Sequence, residues 1–152
     1  MSTHTHWNLR VYLLLMHPSQ PMLLVSKETI GERVYYKLPG GGVEFGEGIA
    51  DAAAREAREE LGIDIQLDQP YYFTEYYLPS LFKREDQVVA FYYLASSAQL
   101  ADIAHHTTFE AKDTAGHTFE WIPLAAFPFH QFTLASDRIV LERLIRSQAY
   151  SF

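Results

Sequence analysis

Residues 40–63, GGGVEFGEGIADAAAREAREELGI, constrain this chain more than any other stretch. Three glycines open it, helical periodicity runs from about Gly48 to Leu61, and Gly62 stands where a left-handed helix stop is expected. The stretch holds six of the chain's nineteen acidic residues. On a helix counted from Ile49, Glu56 falls at about 340°, Glu59 at about 280° and Glu60 at about 20°. The three carboxylates thus share an arc of about 100°. The arc borders an apolar stripe of Ala50, Ala53, Ala54, Ala57 and Leu61. Like charges three and four residues apart disfavour a helix by a few tenths of a kcal/mol per pair, and burial beside them raises the cost. Two arrangements offset it: Arg55 neutralising Glu59 on a wetted face, or a divalent cation held by oxygen ligands. Helix geometry alone leaves both open.

Gly40, Gly41 and Gly42 allow close backbone approach to a ligand and could present N–H groups to phosphate. No Gly-Lys-Ser/Thr follows them, so this is not a P-loop. Strand signals flank the segment. WNLRVYLLLM (7–16) reads as a buried strand with MLLVS (22–26) as its hairpin partner, and RVYYKL (33–38) as a third strand. PYYFTEYYL (70–78) and QVVAFYYLAS (87–96) read as extended runs joined by a hairpin tip at 83–86. HTFEWI (117–122) is a further strand, and Ser136 is placed as the N-cap of a last helix with Ile139, Val140, Leu141, Leu144 and Ile145 on its apolar side. The expectation is one α/β (α+β) sandwich, a mixed β-sheet flanked by the central helix and a C-terminal helix, in a single domain over residues 1–152.

The 152 residues suffice for a real core. A formal charge of −7 argues against capture of nucleic acid on a basic face, although divalent cations could bridge the protein to an anionic small molecule. With no cysteine, thiol catalysis and cysteine-ligated zinc are excluded. No apolar run is long enough to cross a bilayer, and the N-terminus lacks the layout of a signal peptide, so a soluble, cytoplasmic protein is expected. Exposed aromatic strands are compatible with a homodimer. The seven histidines show no zinc spacing.

The segment resembles the signature box of the Nudix hydrolases: Gly, five residues, Glu, seven residues, Arg-Glu, an apolar residue, any residue, Glu-Glu, any residue, Gly and an apolar residue. Here these are Gly41, Glu47, Arg55, Glu56, Ala57, Arg58, Glu59, Glu60, Leu61, Gly62 and Ile63. All seven fixed identities are present, a coincidence on the order of 10⁻⁸ or less at ordinary residue frequencies. Ala57, where a larger aliphatic residue is common, is the one soft position.

The resemblance implies a Nudix-like fold and hydrolysis of a nucleoside diphosphate linked to another group (a nucleoside triphosphate, nucleotide sugar or ADP-ribose), with Mg²⁺ or Mn²⁺ and a water nucleophile. Glu56, Glu59 and Glu60 would be metal ligands, with the Gly40 carbonyl a further one. Catalytic assignments fall on Glu56 and Glu59, with Arg55 and Glu47 as a pair bracing the loop; Gly41, Gly42 and Lys37 are substrate-binding candidates. The general base is Glu56 or one of Glu110, Asp113 and Glu120. Pro79, sixteen residues past the box, is a weak cue toward ADP-ribose. Tyr35, Tyr36, Phe73 and Tyr76 could stack a base, though packing is the plainer use of them. The alternative is a nucleotide-sensing or partner-binding module of the same fold; such members often lose box glutamates, and this chain keeps them. An isoprenoid diphosphate isomerase of the same fold would need a catalytic cysteine, which is absent.

Overall fold

The computed structural model describes residues 3–103, 107–109, 116–126 and 129–149. Its strands are β1 (His6–Leu15), β2 (Met22–Ile30), β3 (Arg33–Lys37), β4 (Gly40–Gly42), β5 (Gln66–Phe73), β6 (Asp86–Ser96), β7 (Thr107–Phe109) and β8 (Gly116–Pro123). The helices are α1 (Ile49–Leu61) and α2 (Ala135–Ala149). They build two four-stranded sheets, one mixed in the order β4-β1-β6-β5 and one antiparallel in the order β3-β2-β8-β7.

The unbroken apolar run Val11–Leu15 explains the centre. Every residue in it is buried, as in a strand covered on both faces. Val11, Leu13 and Leu15 pack with Met22, Leu24, Phe119, Trp121 and the α1 residues Ala52, Ala53, Ala57 and Leu61. Tyr12 and Leu14, on the other face, pack with Leu23, Val25, Tyr92 and the α2 residues Val140, Leu141 and Leu144. Each helix therefore closes one face of the strand layer, and α1 and α2 are separated by it.

Two sequence expectations change. MLLVS is not the hairpin partner of β1: the two strands belong to different sheets and share one antiparallel bridge, Met16↔Leu23. β1 pairs instead with β6, in parallel and over ten residues from His6↔Asp86 to Leu15↔Ala95. A strand buried on both faces carries no polar alternation, so its sequence does not report its neighbour. The expected sandwich, with a mixed sheet and two flanking helices, is present, its strands divided between two sheets. The first aromatic run leaves the regular ladder at Phe73 but stays antiparallel to β6, with the Thr74 N–H on the Ala90 carbonyl, the Val88 N–H on the Leu78 carbonyl and a Pro79↔Gln87 bridge, and the Asp86 N–H on the Lys83 carbonyl closes the expected tip at 83–86. Ser136 lies inside α2, not ahead of it, and is fully buried with its Oγ 2.7 Å from the Tyr92 hydroxyl. Tyr92 also bonds Asp137 Oδ1 at 2.6 Å; Asp137 Oδ2 is buried with no partner of good geometry among the described residues, although the Leu38 backbone acts on the carboxyl. Burial pushes the Asp137 carboxyl up to about 7, against the pull of Tyr92.

α1 itself follows the sequence closely. Gly48 is its N-cap, and Asp51 accepts the Gly48 N–H at 3.1 Å. Gly62 ends it at φ 66°, ψ 24°, with its N–H on the Arg58 carbonyl and the Ile63 N–H on the Ala57 carbonyl. None of the helices is long and apolar enough to cross a membrane, among the described residues.

Candidate active site

β4 places three glycines against the flank of α1, and the fit between them is closer than any side chain would allow. A Cβ on Gly41 would lie 2.4 Å from Glu56 Oε1. A Cβ on Gly40, at φ 143°, would lie 2.1 Å from the Val11 carbonyl oxygen. At Gly41 the space a side chain would take is occupied by the Glu56 carboxylate, and at Gly40 by the backbone of β1. We expect Gly41→Ala to displace Glu56 and lower turnover by about tenfold or more, since sub-ångström misplacement of a reacting group is costly. Turnover measured beside the melting temperature tests it: lost stability with unaltered turnover per folded molecule would contradict the assignment.

Arg55 organises the box. Its Nε and Nη2 donate to both oxygens of Glu47 at 3.0 and 2.7 Å, and Nη2 also reaches the Gly42 carbonyl at 2.9 Å. Its Nη1 donates to Glu56 at 3.0 Å and Glu59 at 3.2 Å, with Glu44 more distant at 4.0 Å. The Arg55 hydrogen bonds hold Glu47 at about 2, well below the usual carboxylate range, and Glu47 in turn raises Arg55. The Glu47–Arg55 brace expected from the sequence is present, and it ties the 43–48 loop to α1.

The three proposed ligands are not equivalent. Glu60 is the most deeply placed: its Oε2 accepts the Gly40 N–H at 3.0 Å, and burial pushes it up to about 8. Glu56 is also raised by burial, with Arg55 opposing the shift. Glu59 is exposed and turned toward Arg55. No group of three His, Asp or Glu side chains already stands as a metal cage among the described residues. Each of the three carboxylates has a donor on one oxygen, Arg55 Nη1 for Glu56 and Glu59 and the Gly40 N–H for Glu60. The donor set nevertheless fits a hard divalent ion: it is all oxygen, and two of its carboxylates bear a burial penalty that a cation would relieve.

Beside the glycine strand lies a cavity of about 310 Å³, bounded by the start of α2 and by the 78–83 segment. Lys37 lines it, but its Nζ is 2.6 Å from Glu28 Oε2 and stands over the Phe82 ring. Phe82 packs obliquely on Tyr35, whereas Tyr36 is turned toward Phe132 and Phe73 is exposed on β5. Pro79 bridges to Gln87 and lines the same cavity, so its position has a plain structural use. Of the outside base candidates, Glu120 is half-buried on β8 between Phe119 and Trp121, which face the α1 side; Glu120 therefore faces away from α1. Glu110 and Asp113 lie outside the described residues. Among the cavity residues that the sequence does not single out is Arg10, on β1 opposite Gly42. Its only sequence signal is a charge next to an otherwise apolar strand run.

Two sheets between two helices, with a glycine strand and an Arg-braced acidic helix at one edge, define a Nudix-type hydrolase architecture. The NUDIX domain family model matches residues 6–144, and the chain belongs to that family. Solved structures share the fold at low identity. A NUDIX hydrolase from Nitrosomonas europaea superposes with a TM-score of 0.69 at 16% identity, covering 93% of this chain and 90% of that one. A MutT NUDIX hydrolase from Burkholderia pseudomallei gives 0.67 at 21%, covering 92% and 99%. An ADP-ribose pyrophosphatase from Streptococcus suis gives 0.61 at 15%, covering 95% and 94%. A search of curated protein sequences gave no match.

Proposed function

We propose that the protein hydrolyses a diphosphate linkage in a nucleoside diphosphate joined to another group, with Mg²⁺ or Mn²⁺ as cofactor. The observation that carries this reading is the crowding of Glu56 and Glu60, both raised by burial, against a strand of bare backbone. Glu56, Glu59, Glu60 and the Gly40 carbonyl would hold the metal. When bound, a divalent ion neutralises diphosphate oxygens and lowers the pKa of a coordinated water.

The chain's own residues supply placement. Arg55 and Glu47 fix the loop, while Gly41 and Gly42 leave the backbone open to phosphate. Water oxygen bonds to one phosphorus, the bridging P–O bond breaks, and the departing group leaves with the bond pair. In this reading Glu56 would take the water proton; it is the most shielded box carboxylate after Glu60, which already accepts a backbone N–H.

The test is a panel of nucleoside triphosphates, ADP-ribose, nucleotide sugars and dinucleoside polyphosphates, assayed with Mg²⁺, with Mn²⁺ and after chelation. Hydrolysis of at least one compound is expected, abolished by chelator and restored by either ion. Binding without hydrolysis anywhere on the panel would favour a sensor instead.

A further inference from the structure

The cavity beside the glycine strand has a charge balance opposite to that of the chain. The protein carries a formal charge of −7. Yet the cavity lining has four basic side chains, Arg10, Lys37, Lys83 and Arg138, and no acidic one. They differ in what they are free to do. Lys37 is committed to Glu28. Lys83 and Arg138 stand exposed at the rim.

Arg10 is the informative one. It is half-buried, its Nε donates to the Tyr12 hydroxyl at 2.7 Å, and no carboxylate among the described residues is paired with it. Gly42, its partner across the ladder, has no side chain to cover it; a Cβ there would sit 3.7 Å from Arg10 Nη1. Burial opposes its charge, and the Tyr12 hydroxyl, Glu56 and Glu60 outweigh that opposition. The carboxylates that bear on it are Glu56 and Glu60 and, at the start of α2, the buried Asp137. A half-buried guanidinium whose hydrogen bond among the described residues goes to a neutral hydroxyl, and which lines a cavity, is favoured by an anion in that cavity. A guanidinium held at Nε offers its remaining N–H fork to phosphate with good geometry. The far wall, with Leu78, Leu81, Phe82 and Leu134, is apolar and suits a base rather than a second charge.

We propose that this cavity binds the substrate through a phosphate carried beyond the metal-bound diphosphate, with Arg10 as its main ligand, so that the substrates are nucleoside triphosphates or longer polyphosphates rather than diphosphates joined to neutral sugars. This rests on the hydrolase reading above and narrows its substrate class.

The experiment compares ATP and GTP with ADP-ribose and UDP-glucose in wild type, Arg10→Gln and Arg10→Lys, with melting temperatures to confirm folding. Wild type should favour the triphosphates in kcat/KM. Arg10→Gln should lower kcat/KM for triphosphates by roughly ten- to a hundredfold, as for loss of a charged hydrogen bond, and by a clearly smaller factor for ADP-ribose. Arg10→Lys should fall between. Equal or better hydrolysis of ADP-ribose by wild type, or one common factor of loss across all four compounds, overturns the proposal. Should no compound be hydrolysed, the hydrolase reading fails, and calorimetry with α,β-methylene-ATP and α,β-methylene-ADP still decides the cavity. Tighter binding of the triphosphate analogue, lost in Arg10→Gln, supports it; equal binding or none overturns it.

Discussion

Glu60→Gln is expected to lower turnover by about two to three orders of magnitude, the scale for removing one preorganised electrostatic group from an active site. The fold should survive, because Gln keeps the shape and can still accept the Gly40 N–H that Glu60 Oε2 accepts at 3.0 Å. The effect belongs to the proposed metal role, not to packing. Burial already pushes the Glu60 carboxyl up to about 8, so the neutral side chain is the easier one to keep in the metal-free protein. What Gln removes is the charge that would hold a cation. Turnover should therefore recover partly at high Mg²⁺, while the melting temperature without metal stays level or rises. Undiminished turnover in Mg²⁺ would remove Glu60 from the ligand set. Glu59, exposed and turned to Arg55, should show the same direction of change with less effect on metal-free stability.

The second large effect concerns stability. Asp137 has a carboxyl pushed from an ordinary 3.8 to about 7 by burial. An acid raised on folding adds stability that is fully present below its unfolded pKa and is lost as pH rises through the folded one. Between about pH 4 and pH 7 the wild type should thus lose up to about 4 kcal/mol at this single site, relative to a side chain that does not titrate. Asp137→Asn is such a side chain. It can keep the Tyr92 bond, although it places an amide where Asp137 Oδ2 has no partner of good geometry among the described residues. The readout is consequently the pH slope: denaturant unfolding at pH 4.5 and pH 8 should show the variant gaining on the wild type by a few kcal/mol. A constant difference across that range would mean that Asp137 is ionised throughout.

Legibility in the sequence followed the range of the interactions. The box helix, both of its glycine boundaries and the Glu47–Arg55 brace depend on contacts within a few residues to a few turns, and all were readable. The exchange of β2 for β6 as the partner of β1 was not, since pairing across some eighty residues leaves no local mark in a run buried on both faces. Arg10 was overlooked for a related reason. Its environment is made by Tyr12 beside it, Gly42 opposite it and two glutamates about fifty residues away, and only the fold brings these together. The unequal placement of Glu56, Glu59 and Glu60 was likewise beyond helical geometry, which put them on one arc without saying that β4 covers one end of it.

β1 has one more consequence. Its odd residues, Val11, Leu13 and Leu15, support α1, and its even residues, Arg10 and Tyr12, form a wall of the cavity. In the proposed hydrolase, the chemistry and the choice of substrate would thus be written on alternate letters of one strand, kept in phase by ten consecutive pairings with β6. Substitutions at the even letters can retune selectivity while the odd ones hold the helix. A one-residue insertion within β1 would transpose the two sets together, whereas the same insertion in the 17–21 turn would leave both in frame.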